Sequence, residues 1–374
     1  MRLEKTFRNH RLIPEKTAEL IALRNGKWQL YQEEESESIT FLGKEIRLRS
    51  GLTFTPYANP TRCNAHCRFC SEELMRKHQK QLTAKNIIEN YDQYFLGLTR
   101  ALEQLAPMEN IGLSLSGLEA TSDPMWLLQL LALINRNGNI TLFNEKVLYT
   151  NSSGLYNYPD LVQELVNTSF SRLEISRCHY DDEVNQKIMF FNRNEPVYRN
   201  EHFEGLLKDL VDLLPVKSSC ILTQRGINNI SEVEKYLDWV RGLGVKQVVF
   251  RELSRLDDTY LNSPTKTWVE ENRVPIESIL VEVMKALHNT RRGWEFQYSR
   301  AGYYYYNEYY TYKNDLEVIM ETSSYTALNH SSSSDVVQKL VFHSNGNLCG
   351  GWDPDKDVIA NYFKKTASTQ VLNL

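Results

Sequence analysis

The stretch Cys63-Asn64-Ala65-His66-Cys67-Arg68-Phe69-Cys70 follows on a strand-like run, Gly51 to Tyr57, and places three thiols within eight residues. A complete protein ligand set for a four-iron, four-sulfur cluster is four cysteines, so a compact set of three can hold three irons and would leave one open. A structural zinc site asks for four ligands, usually in C-x2-4-C pairs. No second close pair exists here, and His66 or His78 would have to complete one. A disulfide framework sits badly with a large chain whose other cysteines, Cys178, Cys220 and Cys349, are scattered.

On the C-terminal side of this stretch the pattern becomes strand then helix, repeated. Short apolar runs predict strands over 52–56, 111–116, 146–150, 172–177, 216–222 and 247–253. Amphipathic segments between them predict helices over 83–104, 124–135, 159–166, 202–214 and 231–243. That alternation argues for an α/β protein of parallel strands with crossover helices. On the N-terminal side, a helix is expected over 14–24. Two short strands are expected around 28–32 and 39–48, as a hairpin covering the core, with Glu33 to Glu37 as a solvated turn.

After Leu253 the pattern is less regular. A helix is predicted over 275–289, followed by an aromatic region, Tyr303 to Tyr306 with Tyr309, Tyr310 and Tyr312, and a polar loop over 331–334. Lys339 to His343 then leads into an Asn345-Gly346-Asn347 hairpin turn and a returning strand to Trp352. Three regions result: an extension over 1–50, a core over 51–255 and a C-terminal part over 256–374.

A length of 374 residues supports a substantial core. The net charge of −4 and pI near 6.1 give no global drive toward nucleic acid polymers or anionic membrane. The N-terminus is charged, without an apolar h-region, and no stretch approaches 18 uninterrupted apolar residues. With three of six cysteines clustered, the expectation is a protein of the reducing cytoplasm.

The C-x3-C-x2-C spacing with an aromatic, Phe69, before the last cysteine resembles the signature of the radical S-adenosylmethionine (radical SAM) superfamily. The resemblance implies a [4Fe-4S] cluster on Cys63, Cys67 and Cys70. Its open iron would be chelated by the amino and carboxylate groups of S-adenosylmethionine, and an external flavodoxin- or ferredoxin-type donor would supply the electron. It also implies a partial (β/α)6 TIM-like barrel, here with the N-terminal hairpin extension and a small C-terminal α/β or β extension. Active residues in such a sheet sit at the C-terminal ends of strands, where the cysteines fall.

Further segments resemble the family's motifs. Ser116-Gly117-Leu118-Glu119-Ala120-Thr121 is similar to G-G-E-P, with Leu118 and Ala120 replacing the second glycine and the proline. Glu119 and the Gly117 carbonyl would hold the ammonium of S-adenosylmethionine, a glycine letting backbone come close. A turn with a helix-capping carboxylate would read the same way. Thr150 and Asn151, in Tyr149-Thr150-Asn151, are similar to a T-N-G segment and would face ribose or substrate. Leu173 to Asp182 resembles an I-S-x-D stretch that makes Ser176 a ribose or carboxylate contact and sets Arg177, His179, Asp181 and Asp182 at the rim. The two aspartates suit a helix cap equally. Cys178 is a candidate hydrogen-atom donor, although such a cysteine equally suits apolar packing.

Thr223 to Asn228 and Val249 to Leu253 resemble the K-G-x-N and R-F segments of the molybdopterin-precursor GTP cyclase branch, pointing to Asn228 and Arg251. Asn228 also suits an N-cap, and Arg251 an ion pair with Glu252. That branch carries further C-terminal cysteines, whereas this chain has only Cys349 there. The tyrosine-rich segment and Trp352 would instead wall the substrate, unless the tyrosines simply alternate on an edge strand.

The activity expected is a radical SAM reaction on a small polar metabolite such as a nucleotide, nucleoside or sugar. The alternatives are a maturase of a ribosomally made peptide and, from another class, a zinc-stabilised or thiol-sensing binding module.

Overall fold

The computed structural model describes residues 30–32, 36–41, 43–57, 62–77, 79, 82, 87–108, 110–136, 142–287, 292–301, 305–323, 325 and 336–364. The expected helix over 14–24, the turn residues 33–35, His78, Tyr303, Tyr304 and the loop 331–334 lie outside them.

Among the described residues fourteen strands join in one sheet. They are β1 (Leu30–Gln32), β2 (Ser36–Phe41), β3 (Lys44–Tyr57), β4 (Ile111–Leu115), β5 (Phe143–Thr150), β6 (Arg172–Ser176) and β7 (Val216–Leu222). Then follow β8 (Gln247–Glu252), β9 (Trp294–Ala301), β10 (Tyr305–Tyr312), β11 (Leu316–Ser323), β12 (Val336–His343), β13 (Asn347–Cys349) and β14 (Val358–Asn361). β3 to β8 lie side by side in chain order, all parallel, as the strand-helix alternation predicts. Two C-terminal strands extend the parallel set, β11 beside β8 and β12 beside β3. The sheet is mixed α/β in its connections and open, with β1 at one end and β14 at the other.

The N-terminal hairpin differs from the expectation. β2 pairs antiparallel with the first half of β3, which then runs on for 14 residues in all to become the first core strand. β1 takes no part in it and pairs in parallel with β9 at the opposite end of the sheet. Among the described residues the first long helix spans Tyr91–Leu105, with Asn90 accepting the Gln93 N–H at 2.9 Å as its N-cap.

Alternation along each strand sorts side chains onto two faces. One face carries the helices: Tyr94 of helix Tyr91–Leu105 packs edge-on against Phe342, and Tyr236 of helix Ile230–Gly242 against Phe250, each at 5.4 Å. Leu148, Leu173, Val248 and Phe250 are fully buried, and each such side chain contributes about 1.5–3 kcal/mol to folding. The other face is polar. Register brings Thr53, Tyr149, Glu174, Ser219, Arg251 and Glu321 onto it. No helix among the described residues is long and apolar enough to cross a membrane.

Candidate functional site

The cysteine loop lies beyond the C-terminal end of β3 and is zipped to the segment that ends helix Asp182–Met189. The His66 N–H donates to Phe190 O at 2.9 Å, Arg68 N–H to Ile188 O at 3.0 Å and Asn192 N–H to Asn64 O at 3.0 Å. The Arg68 Nε–H adds a bond to Lys187 O at 2.9 Å. Asp181 caps that helix by accepting the Val184 N–H at 2.9 Å, which answers the rim-or-cap question for this residue.

Cys63, Cys67 and Cys70 are all free thiols and half-buried. Burial, reinforced by Glu119, pushes Cys63 up to about 12; burial and then Glu72 push Cys70 up to about 12. Cys67 is also raised well above the ordinary thiol value, first by burial and then by Cys70 and Cys63, so the three thiols sense one another. Among the described residues no three His, Cys, Asp or Glu side chains converge on a single ion. A four-iron cube instead takes its three thiolates at separate corners, and three adjacent free thiols suit that demand.

Residues from the ends of β4 and β5 brace this loop. The Asn151 side-chain amide donates to Asn64 Oδ1 at 2.9 Å and reaches Cys63 Sγ at 3.8 Å. Asn64 in turn donates to Ser153 Oγ at 2.5 Å. Behind them Glu119, 5% exposed, gathers four donors. Its Oε1 accepts from Thr121 N at 3.2 Å, Thr121 Oγ1 at 2.6 Å and Thr150 Oγ1 at 2.7 Å, and its Oε2 accepts from Asn151 N at 2.6 Å. Burial raises its pKa and these hydrogen bonds oppose the rise. Thr150 thus serves Glu119, and Asn151 serves both Glu119 and the cysteine loop.

Gly117 has φ +104°, and a Cβ there would collide with the Tyr57 ring. Only glycine combines that backbone with that contact. A Cβ on Gly154 would collide with Thr121 O, so the turn after β5 packs directly on the turn after β4. Asn64, Thr121, Ser153 and Gly154 were not singled out from sequence. Asn64 lies inside the cysteine motif, and Ser153 and Gly154 lie within a segment that reads equally well as an ordinary turn.

The remaining expected residues fall in different places. Ser176, partly exposed, ends β6 on the polar face opposite Ser219. Arg251 lies between two carboxylates, its Nη1 2.6 Å from Glu174 Oε1 and its Nε 2.6 Å from Glu321 Oε1, and also donates to Ser219 Oγ at 3.1 Å. Burial works against its charge, but Glu174 and Glu321 outweigh it and raise the pKa. Glu252 pairs not with Arg251 but with Arg273.

Cys178 is fully buried; its N–H donates to Asn185 Oδ1 at 2.9 Å and its carbonyl accepts the Cys220 thiol at 3.4 Å. His179 accepts the Asp181 N–H on Nδ1 at 2.9 Å and stands 3.9 Å from Glu232 Oε2. Burial lowers its pKa and Glu232 opposes this. Arg177 does not face the rim: it is buried over the Phe203 ring at 4.6 Å and donates to Tyr198 O at 2.9 Å and Asn200 Oδ1 at 2.6 Å. Asn228 donates to Gln224 O at 3.0 Å, and Asn229 is the N-cap of the next helix.

In β10, Tyr306, Tyr310 and Tyr312 are buried, whereas Tyr309 stacks on Tyr298 at 4.3 Å on the polar face. Trp352 stands edge-on to Tyr57 at 5.2 Å, beside the cysteine loop.

No protein-family model matches the chain, and no curated protein matches it. Among solved structures it is similar to SuiB of Streptococcus suis bound to its precursor peptide SuiA, with a TM-score of 0.52 at 14% identity. That match covers 84% of this chain and 63% of SuiB. SuiB bound to S-adenosylmethionine gives 0.49 at 12% identity over 84% of this chain and 64% of that one. Coproporphyrinogen III oxidase (HemN) of Escherichia coli, a radical SAM enzyme, gives 0.43 at 13% identity over 70% and 67%. The chain therefore spans a little under two thirds of SuiB, with which it shares its fold.

Proposed function

We propose that this chain is a radical SAM enzyme in which Cys63, Cys67 and Cys70 hold one [4Fe-4S] cluster and the open iron receives S-adenosylmethionine. The observation that carries the proposal is a loop of three free thiols at the C-terminal end of a strand in a parallel sheet, in a fold shared with SuiB. When bound, the cluster and S-adenosylmethionine supply a one-electron cleavage that yields a 5′-deoxyadenosyl radical able to take hydrogen from substrate.

The chain's own residues prepare the site. The thiols, protonated in the free protein, release their protons on ligation. Asn151 steadies Cys63, and the Glu119 clasp fixes the distance between the β4 and β5 ends. A buried carboxylate regains its charge beside a cation, so Glu119, with the Gly117 carbonyl, suits the ammonium of S-adenosylmethionine. Ser176 and Asn228 are assigned to its ribose and carboxylate. Arg251, fixed as a charged donor on the polar face, is assigned to substrate, whereas Cys178 and His179 are assigned to the packing around the loop. The electron is assigned to an external flavodoxin- or ferredoxin-type donor.

The polar face suits a small polar metabolite such as a nucleotide, nucleoside or sugar. The likeness to SuiB, which has been solved with a precursor peptide, favours a second substrate class, a ribosomally made peptide. Anaerobic reconstitution with iron and sulfide, then dithionite and S-adenosylmethionine, tests the proposal. A brown protein that forms 5′-deoxyadenosine is expected; a colourless protein with stoichiometric zinc would overturn it.

A further inference from the structure

Beyond the braced cysteine loop, most of the cations described on the polar face stand beside a carboxylate. Arg251 is held by Glu174 and Glu321, Lys217 stands 3.8 Å from Glu174, and Arg172 pairs with Glu145. Lys339 of β12 differs. Register sets it opposite Thr53, on the same face as Tyr57 and His343. Its ammonium lies 4.4 Å over the Trp352 ring, with no acidic side chain within ion-pair distance among the described residues. The nearest titratable neighbours make matters worse for the charge: burial, then Arg49, pushes Lys339 down to about 8. His343, on the same strand and face, is pushed down to about 4 by burial and is neutral.

Lys339 is half-buried, and a charge drawn even partly out of water is normally paired, because leaving it without a partner is costly. An indole face holds an ammonium in place through its quadrupole but leaves the positive charge uncancelled. Among the described residues Lys339 is thus positioned without being neutralised. Trp352 continues from Lys339 to Tyr57, whose phenol donates to Glu72 at the end of the cysteine loop. The cation therefore belongs to the same wall as the proposed reaction centre.

We infer that Lys339, fixed on Trp352, is the anchor for an oxyanion of the substrate, a phosphate or a carboxylate. The inference rests on the polar face being the substrate's, as proposed above, and names the chemical class of one end of that substrate. A nucleotide or sugar phosphate would present the first oxyanion and an acidic peptide side chain the second.

The test is calorimetric titration of the anaerobically reconstituted full chain with inorganic phosphate and, separately, with glutarate. Saturable binding is expected for one of them, weakened at least tenfold by Lys339→Met and kept within about threefold by Lys339→Arg. Lys235→Met, at an exposed lysine paired with Glu232, serves as the control and is expected to bind as the parent does. Preference for phosphate or glutarate tells the two sources apart. Absence of binding by both anions, or equal binding by Lys339→Met and the parent, overturns the inference. If Lys339→Met melts with the parent protein's midpoint, its loss of binding is not a loss of fold. If it does not fold, Lys339→Arg against Lys339→Gln carries the same comparison. Cluster absorbance is recorded on each sample. Binding through Lys339 in a protein that takes up no cluster would overturn the radical SAM proposal alone, and a normal cluster without anion binding would overturn this inference alone.

Discussion

The side-chain amide of Asn151 stands 3.8 Å from the sulfur of Cys63 while bonding Asn64 Oδ1 at 2.9 Å. Hydrogen bonds to ligating sulfurs stabilise the more reduced, more negative state of a cluster. Asn151→Ala is therefore expected to lower the reduction potential of the reconstituted cluster without loss of iron. Potentiometric titration followed by electron paramagnetic resonance measures it, and an unchanged potential would take Asn151 out of this role.

Each of the three loop thiols is assigned one iron, and none has a neighbouring cysteine to replace it within the loop. Cys63→Ala, Cys67→Ala and Cys70→Ala are each expected to reduce 5′-deoxyadenosine formation under dithionite to background. Full activity in any one, read by chromatography, would remove that residue from the ligand set.

Glu119 gathers donors from Thr121, Thr150 and Asn151 in a site nearly closed to water. Leaving such donors unpaired costs about 1–3 kcal/mol each before relaxation. Glu119→Ala is expected to destabilise the fold by roughly 2–4 kcal/mol in urea denaturation and to weaken S-adenosylmethionine binding. The cluster should still assemble. Parental stability and affinity together would show that the clasp carries neither load.

Glu277 is almost fully buried, 3.8 Å from Arg255. Burial first, then the neighbouring Glu252, lifts its carboxyl from 4.5 to about 7. In the unfolded chain it ionises near the ordinary value, so between about pH 4.5 and 7 the folded state binds the more protons. Its contribution is thus full below pH 4.5 and lost as pH rises through 7. Glu277→Gln is expected to gain about 1–3 kcal/mol over the parent between pH 5 and pH 8. A stability difference independent of pH would contradict this.

The sequence foretold the core of the fold because its strands are short apolar runs separated by amphipathic helices. All six runs, from Leu52 to Leu253, appear as the parallel strands β3 to β8 in chain order. The flanking strands were less legible for a physical reason. β11 and β12 reach β8 and β3 through pairing across long stretches of chain, and local alternation does not say which partner a strand will choose. The cysteine loop was legible from spacing alone. Of its supports, Glu119, Thr150 and Asn151 stand out in the sequence as ligand contacts, whereas Asn64 and Ser153 read as ordinary turn polar residues until the fold brings them together. Arg177 shows the opposite failure: next to an inward serine it looks like a rim cation, yet strand alternation turns it toward Phe203.

β12 begins opposite Arg47, a partner that precedes Val336 by 289 positions. A ribosome would therefore release most of the β/α units long before the neighbour of the opening strand emerges, leaving the hydrogen-bonding rim of β3 bare in the interval. Such a rim invites pairing with other chains, and closure over so great a span is slow. Shortened forms ending ahead of Val336 are expected to collect in inclusion bodies, and chaperone supply should limit the yield of intact protein.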